Sequence, residues 1–137
     1  MAIDQSDNIF VTDANQKIIL MYDALGNFLE SFDPGCEPLS IAINKNNQVF
    51  FGDGETGTIY RLDPDETKTE FYSGTQYPNS MVFDANGLLY VVDRDFKKAI
   101  VLDLSANVVR NLGEGTFLFI MGIAFNQIVK NFLVMAG

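Results

Sequence analysis

The chain contains no histidine or tryptophan, one cysteine among 137 residues, and nine basic residues against eighteen acidic ones. Without histidine, a Ser-His-Asp or Cys-His catalytic arrangement and a histidine-ligated zinc site are impossible within this chain. Its single cysteine, Cys36, cannot form an internal disulfide, so we interpret it as a small, half-buried residue rather than a reactive thiol. This leaves the cellular compartment undecided.

Positive charge and long apolar runs are also scarce. The formal net charge is −9, and the basic residues are scattered except for Arg94, Lys97 and Lys98. Because nucleic acid binding depends on neutralising phosphates, we predict no nucleic acid partner. The longest apolar stretch, 117–125, is too short to span a bilayer, and no signal peptide is visible. No segment shows a sustained helical period, so the sequence predicts no helix.

The chain does contain a repeat of 40 residues. This step relates two sets of aspartates: Asp13, Asp53 and Asp93, and Asp23, Asp63 and Asp103. A fixed period between about 20 and 50 residues is typical of repeat architectures. We expect units at about 1–34, 35–74 and 75–114, followed by an incomplete unit at 115–137.

Each unit contains four short apolar runs separated by turn residues, which predicts consecutive antiparallel strands. In the first unit these runs are 2–4, 8–12, 18–23 and 28–32. Several runs are apolar on both faces, which indicates sheets covered on both sides. The first strand of every unit carries a small residue at its middle: Ala2, Ala42, Val82 and Ala124. Together these features predict an all-β fold, a partial β-propeller of four-stranded antiparallel blades.

The units share a sequence pattern as well as a length. They read (G/S)-(I/M)-(A/V)-(I/F)-(D/N), a turn, (N/Q/L)-(I/V/L)-(F/Y)-(V/F)-x-D, then a strand ending in Asp, with Pro38-Leu39-Ser40 and Pro78-Asn79-Ser80 as lead-ins. In this the chain resembles the NHL repeat family over nearly all its length. The resemblance implies a single propeller domain, 1–137, and a ring of six blades. We therefore expect a fragment of such a ring; the alternative is that two copies complete one ring.

The resemblance implies a non-catalytic module that binds or scaffolds a protein or a small ligand. Relatives that depend on histidine, the streptogramin lyases and amidating lyases, are excluded for the residues present. The alternative is a gluconolactonase or regucalcin-like hydrolase, which implies Ca²⁺ as cofactor with Glu37 and Asn79 as candidate ligands. Ser80 in place of glycine, and the lack of an aspartate at 120–122, depart from that pattern. Asn79 also fits an ordinary turn residue.

The repeated aspartates allow two interpretations. Carboxylates are ligands for hard cations. They also accept hydrogen bonds from the backbone N–H groups of a following turn. One turn per unit explains the period without a shared site, so we favour the structural role and predict neither a metal nor a cofactor.

Binding surfaces on rigid scaffolds come from loops, here those between the second and third strands at 14–17, 54–57 and 94–97. We expect them to share a rim with the lead-ins. The candidate binding residues are Glu55, Tyr77, Asn79, Arg94, Asp95 and Phe96. Arg94 and Phe96 should dominate, since such residues are enriched at interface hot spots. The alternative is that Phe96 packs against the next blade and Arg94 only pairs with Asp95. Open blade edges also predict self-association.

Overall fold

A computed structural model describes residues 1–113, 120–126 and 131–136, with side chains described over 1–113. These residues form strands β1 (Ala2–Ile3), β2 (Ile9–Asp13), β3 (Ile18–Tyr22), β4 (Phe28–Phe32), β5 (Pro38–Ile43), β6 (Val49–Asp53), β7 (Ile59–Leu62), β8 (Lys68–Tyr72), β9 (Pro78–Phe83), β10 (Leu89–Asp93), β11 (Lys98–Leu102), β12 (Val108–Leu112), β13 (Ile120–Asn126) and β14 (Asn131–Ala136). In the described part of the chain, no helix is long and apolar enough to cross a membrane.

The strands form sheets in chain order. Three four-stranded sheets run β1-β2-β3-β4, β5-β6-β7-β8 and β9-β10-β11-β12, and β13 pairs with β14. Every pairing is antiparallel. The predicted all-β fold of four-stranded blades is therefore confirmed. Residues 114–119, 127–130 and 137, all but the first of them in the expected fourth unit, lie outside the described residues.

The predicted strand ends in the first unit differ from the structure by at most one residue, because polar residues close the turns. Asp4, predicted to end a strand, instead begins a turn: its carboxylate accepts hydrogen bonds from the Ser6 N–H at 2.8 Å and the Asn8 N–H at 2.9 Å. The residue before Asn8, Asp7, has a φ of 63°. Asn47 and Gly87, at the equivalent positions, have φ of 59° and 82°. Asp, Asn and Gly tolerate this left-handed conformation best, which explains why they occupy it.

The innermost strands β1, β5 and β9 line a small cavity of about 200 Å³. The small residues predicted for these strands, Ala2, Ala42 and Val82, all lie in its lining. Ala42 is buried. It belongs to one buried cluster with Met81 of β9, so a larger side chain at this position would crowd the neighbouring inner strand.

Aromatic and aliphatic side chains fill the spaces between sheets. Phe10 of the first sheet packs in one cluster with Val49 and Phe51 of the second. At the next junction, Phe50 packs in one cluster with Leu89 and Val91 of the third sheet. The second sheet is therefore covered on both faces, as its apolar strands predicted. Burying each such side chain stabilises the fold by about 1.5–3 kcal/mol.

One face of the first sheet is not covered by any other described sheet. We call it the open face: Ile3, Ile9, Val11, Leu20 and Tyr22. Ile3 is 54% exposed and the other four are half-buried. Forty residues on, the matching residues Val49 and Phe51 are buried against the first sheet. The open face is thus apolar by sequence and accessible by position.

Candidate functional site

The loops that follow β2, β6 and β10 lie at one end of the sheets, together with the lead-in segments 33–37 and 73–77. We call this set of segments the rim. Each loop begins directly after an aspartate that ends a strand: Asp13, Asp53 or Asp93. These aspartates hold the rim in place.

Asp53 is 2% exposed and binds two segments at once. Its carboxylate accepts hydrogen bonds from the Glu55 N–H at 2.9 Å and the Thr56 hydroxyl at 2.6 Å, both in the following loop. It also accepts the Glu37 N–H, at 3.2 Å, from the lead-in of the same sheet. One buried carboxylate therefore holds both a loop and a lead-in.

Asp93 repeats this arrangement in the third sheet and is 1% exposed. Its oxygens accept the N–H groups of Gln76 at 2.8 Å and Tyr77 at 3.2 Å in the lead-in, and that of Phe96 at 3.2 Å in the loop. Asp13 is half-buried, and its carboxylate accepts the Gln16 N–H at 2.9 Å. The predicted bonds to the following turn are confirmed. The bonds to the lead-ins were not foreseen, because those partners lie 16 or 17 residues away.

The rim loops are also linked to one another. Lys17 of the first loop forms an ion pair with Glu55 of the second. The hydrogen bond from this ammonium to Glu55, and then the negative charges of Glu55, Glu37 and Asp53, raise the pKa of Lys17. Among the described residues, no three carboxylate or thiol side chains converge as they would around a metal ion.

Arg94 lies in the third loop and is held by one backbone contact and two side-chain contacts. Its backbone N–H donates to the Tyr77 carbonyl at 3.1 Å, and its guanidinium carbon lies 3.6 Å from the centre of the Tyr77 ring. Its Nε donates to Asp95 Oδ1 at 3.1 Å, with 37% of the arginine side chain exposed. A cation over an aromatic face contributes about 0.5–1 kcal/mol at an exposed site. The sequence predicted these residues but not this contact.

Phe96 follows in the same loop and is 50% exposed. The Lys98 ammonium lies 5.7 Å from the centre of its ring. The alternative interpretation predicted that Arg94 pairs with Asp95, and this pair forms. It also predicted that Phe96 packs against the next blade, but half of this residue remains exposed. The third loop therefore combines an ordered arginine with an accessible aromatic ring.

The two residues proposed for the Ca²⁺ alternative occupy different settings. Asn79 lies within β9, so its interpretation as a turn residue was wrong. This strand begins one residue earlier, at Pro78, which pairs with Asp93 of β10. Glu37 lies in the lead-in before β5, where its carbonyl accepts the Gly54 N–H at 2.8 Å. Glu37 is near enough to Lys17 to raise the pKa of that lysine.

Cys36 is buried in the cluster between the first and second sheets, more deeply than the half-buried position expected. Burial and then the negative charge of Asp53 raise the pKa of its thiol to about 11. The thiol is therefore protonated at neutral pH. A protonated, buried thiol is a poor nucleophile, in agreement with its interpretation as packing material.

No protein-family model matches the chain, and no curated protein matches its sequence. Solved β-propeller structures match its fold. A streptogramin B lyase matches with a TM-score of 0.79 and 15% identity, covering 98% of this chain and 46% of that one. Hydrazine synthase from Kuenenia stuttgartiensis has a TM-score of 0.79 and 10% identity, covering 98% and 40%. A catalytically inactive histidine-to-alanine variant of virginiamycin B lyase from Staphylococcus aureus, with quinupristin, has a TM-score of 0.73 and 17% identity. That match covers 91% of this chain and 44% of the lyase.

The chain therefore spans less than half the length of these matched proteins. Similarity at such low identity shows the fold alone. Together with the three consecutive four-stranded sheets, it identifies the class: a partial β-propeller.

Proposed function

We propose that this chain belongs to an NHL-type propeller that acts as a non-catalytic binding or scaffold module, with its rim recognising a protein or small ligand. One observation carries the proposal: in the third loop, Arg94 stacks on Tyr77, and Phe96 of the same loop is exposed. Arginine and tyrosine are enriched among the residues that dominate binding energy. Because the guanidinium is already ordered, less side-chain entropy is lost when a partner binds.

The NHL-type assignment rests on the repeated sequence pattern and on sheets that follow one another in chain order. A ring of six blades would place further loops on the same rim. Of the candidate residues, Arg94 contacts both Tyr77 and Asp95, and Phe96 lies in the same loop. Glu55, in the second loop, is paired with Lys17 of the first. Asn79 lies in β9, outside the loop surface.

The hydrolase alternative is less favoured by the rim charges. The Lys17 ammonium pairs with Glu55 and interacts with the charges of Glu37 and Asp53, so it would repel a cation bound near Glu37. A ligand that binds only the folded state raises its melting temperature by mass action. We expect millimolar Ca²⁺ to leave the melting temperature unchanged. A clear rise that disappears in Asn79→Ala would favour the hydrolase instead.

We do not assign the activity of the matched lyases to this chain. One matched lyase is catalytically inactive as a histidine-to-alanine variant, and the present chain has no histidine. Comparable chemistry would need a histidine supplied by another polypeptide segment. The rim is therefore proposed to recognise a ligand rather than to transform one.

The binding role is tested by the double variant Arg94→Ala with Phe96→Ala. The wild-type chain is used to capture partners from an extract of its source organism, and the affinity of each recovered partner is then measured by calorimetry. We expect the double variant to weaken binding at least about 30-fold, as hot-spot residues do, while its melting curve stays unchanged.

A matched control is Val109→Ala with Arg110→Ala, an exposed apolar and basic pair on β12, away from the rim. This pair should leave both affinity and stability unchanged. Equal loss of binding in both double variants would contradict a rim site. If Arg94→Ala with Phe96→Ala mainly lowers stability, the loop is packing material and the proposed site is wrong.

Self-association is a second proposed property, favoured by the open face. The matching face of the second sheet is buried by its neighbour, so another apolar surface can cover the open face in the same way. We expect light scattering to show particles heavier than the 15.2 kDa monomer, and Val11→Lys to shift them toward the monomer. A wild-type monomer that melts cooperatively would count against this property.

A further inference from the structure

A groove of about 610 Å³ separates the first and second sheets at the end opposite the rim. Its volume is within the usual range of small-molecule sites, about 300–1,000 Å³. The apolar part of its lining comes from both sheets: Phe10, Met21, Phe32, Val49 and Leu62. The groove can therefore cover the apolar body of a small molecule.

Carboxylates surround the mouth of this groove. Glu30 comes from β4 of the first sheet, and Asp63, Asp65 and Glu66 come from the turn after β7 of the second. The Asp63 carboxylate already accepts hydrogen bonds from Arg61 Nε at 2.8 Å and from the Thr69 hydroxyl at 2.6 Å. Over residues 1–113, no lysine or arginine forms an ion pair with Glu30 or Glu66.

Glu30 of the first sheet and Glu66 of the second line the same groove from opposite sides of the junction between the sheets. A hydrogen bond to Glu66, then partial loss of solvent, then the like charge of Glu66 raise the pKa of Glu30. Two carboxylates in contact repel each other when both are ionised. A cation placed between them would remove that repulsion.

The next junction shows that the fold does not require this arrangement. Moving 40 residues along the sequence replaces Glu30 by Glu70, Asp65 by Ser105 and Glu66 by Ala106. Glu66 and Ala106 have similar φ, 67° and 63°, so the turn forms equally well with alanine. The second glutamate of the pair is thus particular to the first junction.

The apolar filling differs as well. At the second junction, the Phe50 ring is covered by Phe71 and Phe83, with ring centres 4.9 and 5.3 Å away. At the first junction, Phe10 stacks on Phe32 at 6.4 Å, and both rings line the groove. The residue that corresponds to Phe83 is Ile43, which leaves more space.

We propose that this groove binds a small organic cation, an ammonium or guanidinium group carried on an apolar body. The cationic group lies between Glu30 and Glu66, and the body covers Met21 and Leu62. Charge complementarity selects the sign of the ligand, since the mouth carries four carboxylates. The apolar wall selects its size. The proposal is independent of the rim, which lies at the other end of the sheets.

The test is calorimetric titration with phenethylammonium at neutral pH, beside 3-phenylpropionate, which has the same apolar body and the opposite charge. Methylammonium provides the charge without the body. We expect saturable binding of phenethylammonium, at least about fivefold tighter than either comparison compound, because an exposed ion pair contributes up to about 1 kcal/mol.

The variant Glu30→Gln with Glu66→Gln should remove this preference for the cation. Its melting temperature should not fall, because the substitutions remove a repulsive contact. Glu70→Gln, the matched glutamate of the next junction, should bind phenethylammonium like the wild type. Absence of saturable binding to the wild type, equal binding of the anion, or unchanged binding to the double variant would each overturn the proposal.

Discussion

The first and third sheets share a repeat pattern, but their surroundings differ. Leu89 and Val91 of β10 are 0% exposed, whereas Ile9 and Val11, the matching residues of β2, are half-buried. All four are apolar, so the difference comes from the neighbouring sheet and not from the strand itself. A repeat position therefore predicts which face a side chain occupies, and the adjacent sheet decides how far it is buried.

The strand-ending aspartates show the same contrast. Asp93 is buried and bonds a loop and a lead-in, whereas Asp13 is half-buried and bonds its own loop. Equal sequence positions thus stabilise the two sheets to different extents. Four substitution pairs test this contrast.

The largest expected difference is between Leu89→Ala and Ile9→Ala. Leu89→Ala leaves a cavity between two sheets and should lower the free energy of unfolding by about 2–5 kcal/mol. Ile9→Ala removes a side chain that is already partly in water, so we expect about half that loss or less. Urea unfolding measures both. Equal losses would show that a second surface covers the open face in solution.

The next difference is between Asp93→Ala and Asp13→Ala. Asp93→Ala leaves partly buried N–H groups of two segments without their acceptor, which should lower the free energy of unfolding by about 1–3 kcal/mol. Asp13→Ala should cost about 1 kcal/mol or less, since it frees one N–H near solvent. Chemical denaturation checks both values. Asp93→Asn, which keeps one acceptor oxygen, should fall between Asp93→Ala and the wild type.

A smaller effect is expected at the junction between the first two sheets. Because the pKa of Glu30 is raised in the folded state, ionising it weakens the fold as pH rises through the glutamate range. Glu66→Gln removes the neighbouring charge and should raise the melting temperature at neutral pH. The gain should vanish at pH values where Glu30 is protonated. Glu70→Gln should show no such pH-dependent gain.

The smallest contrast is between Asp23→Asn and Asp103→Asn, where the sheets should behave alike. Hydrogen bonds from Asn27 lower the pKa of Asp23, and those from Asn107 lower the pKa of Asp103. A lowered pKa stabilises the fold above the ordinary aspartate pKa, and this contribution is lost as pH falls. At neutral pH, both variants should show similar small losses in melting temperature. At acid pH, neither variant should differ from the wild type. Unequal losses would contradict the equivalence of these turns.

Much of the fold was predictable because it depends on contacts close in sequence. The turn at Asp4 closes through bonds to residues two and four positions away, and a 40-residue step repeats such turns along the chain. Less of the candidate site was predictable. Arg94 and Phe96 were identified from residue type, but the stacking of Arg94 on Tyr77 joins residues 17 positions apart and was not predicted.

By itself, the sequence determined the order and face of the strands, the turns between them and the excess of negative charge. These properties follow from residue type and local hydrogen bonding. Only the tertiary structure decided which apolar faces are buried, which aspartates hold two segments, and that Glu30 and Glu66 line the same groove. The reason is physical: burial and charge pairing depend on the distance between sheets, and a linear pattern does not specify that distance.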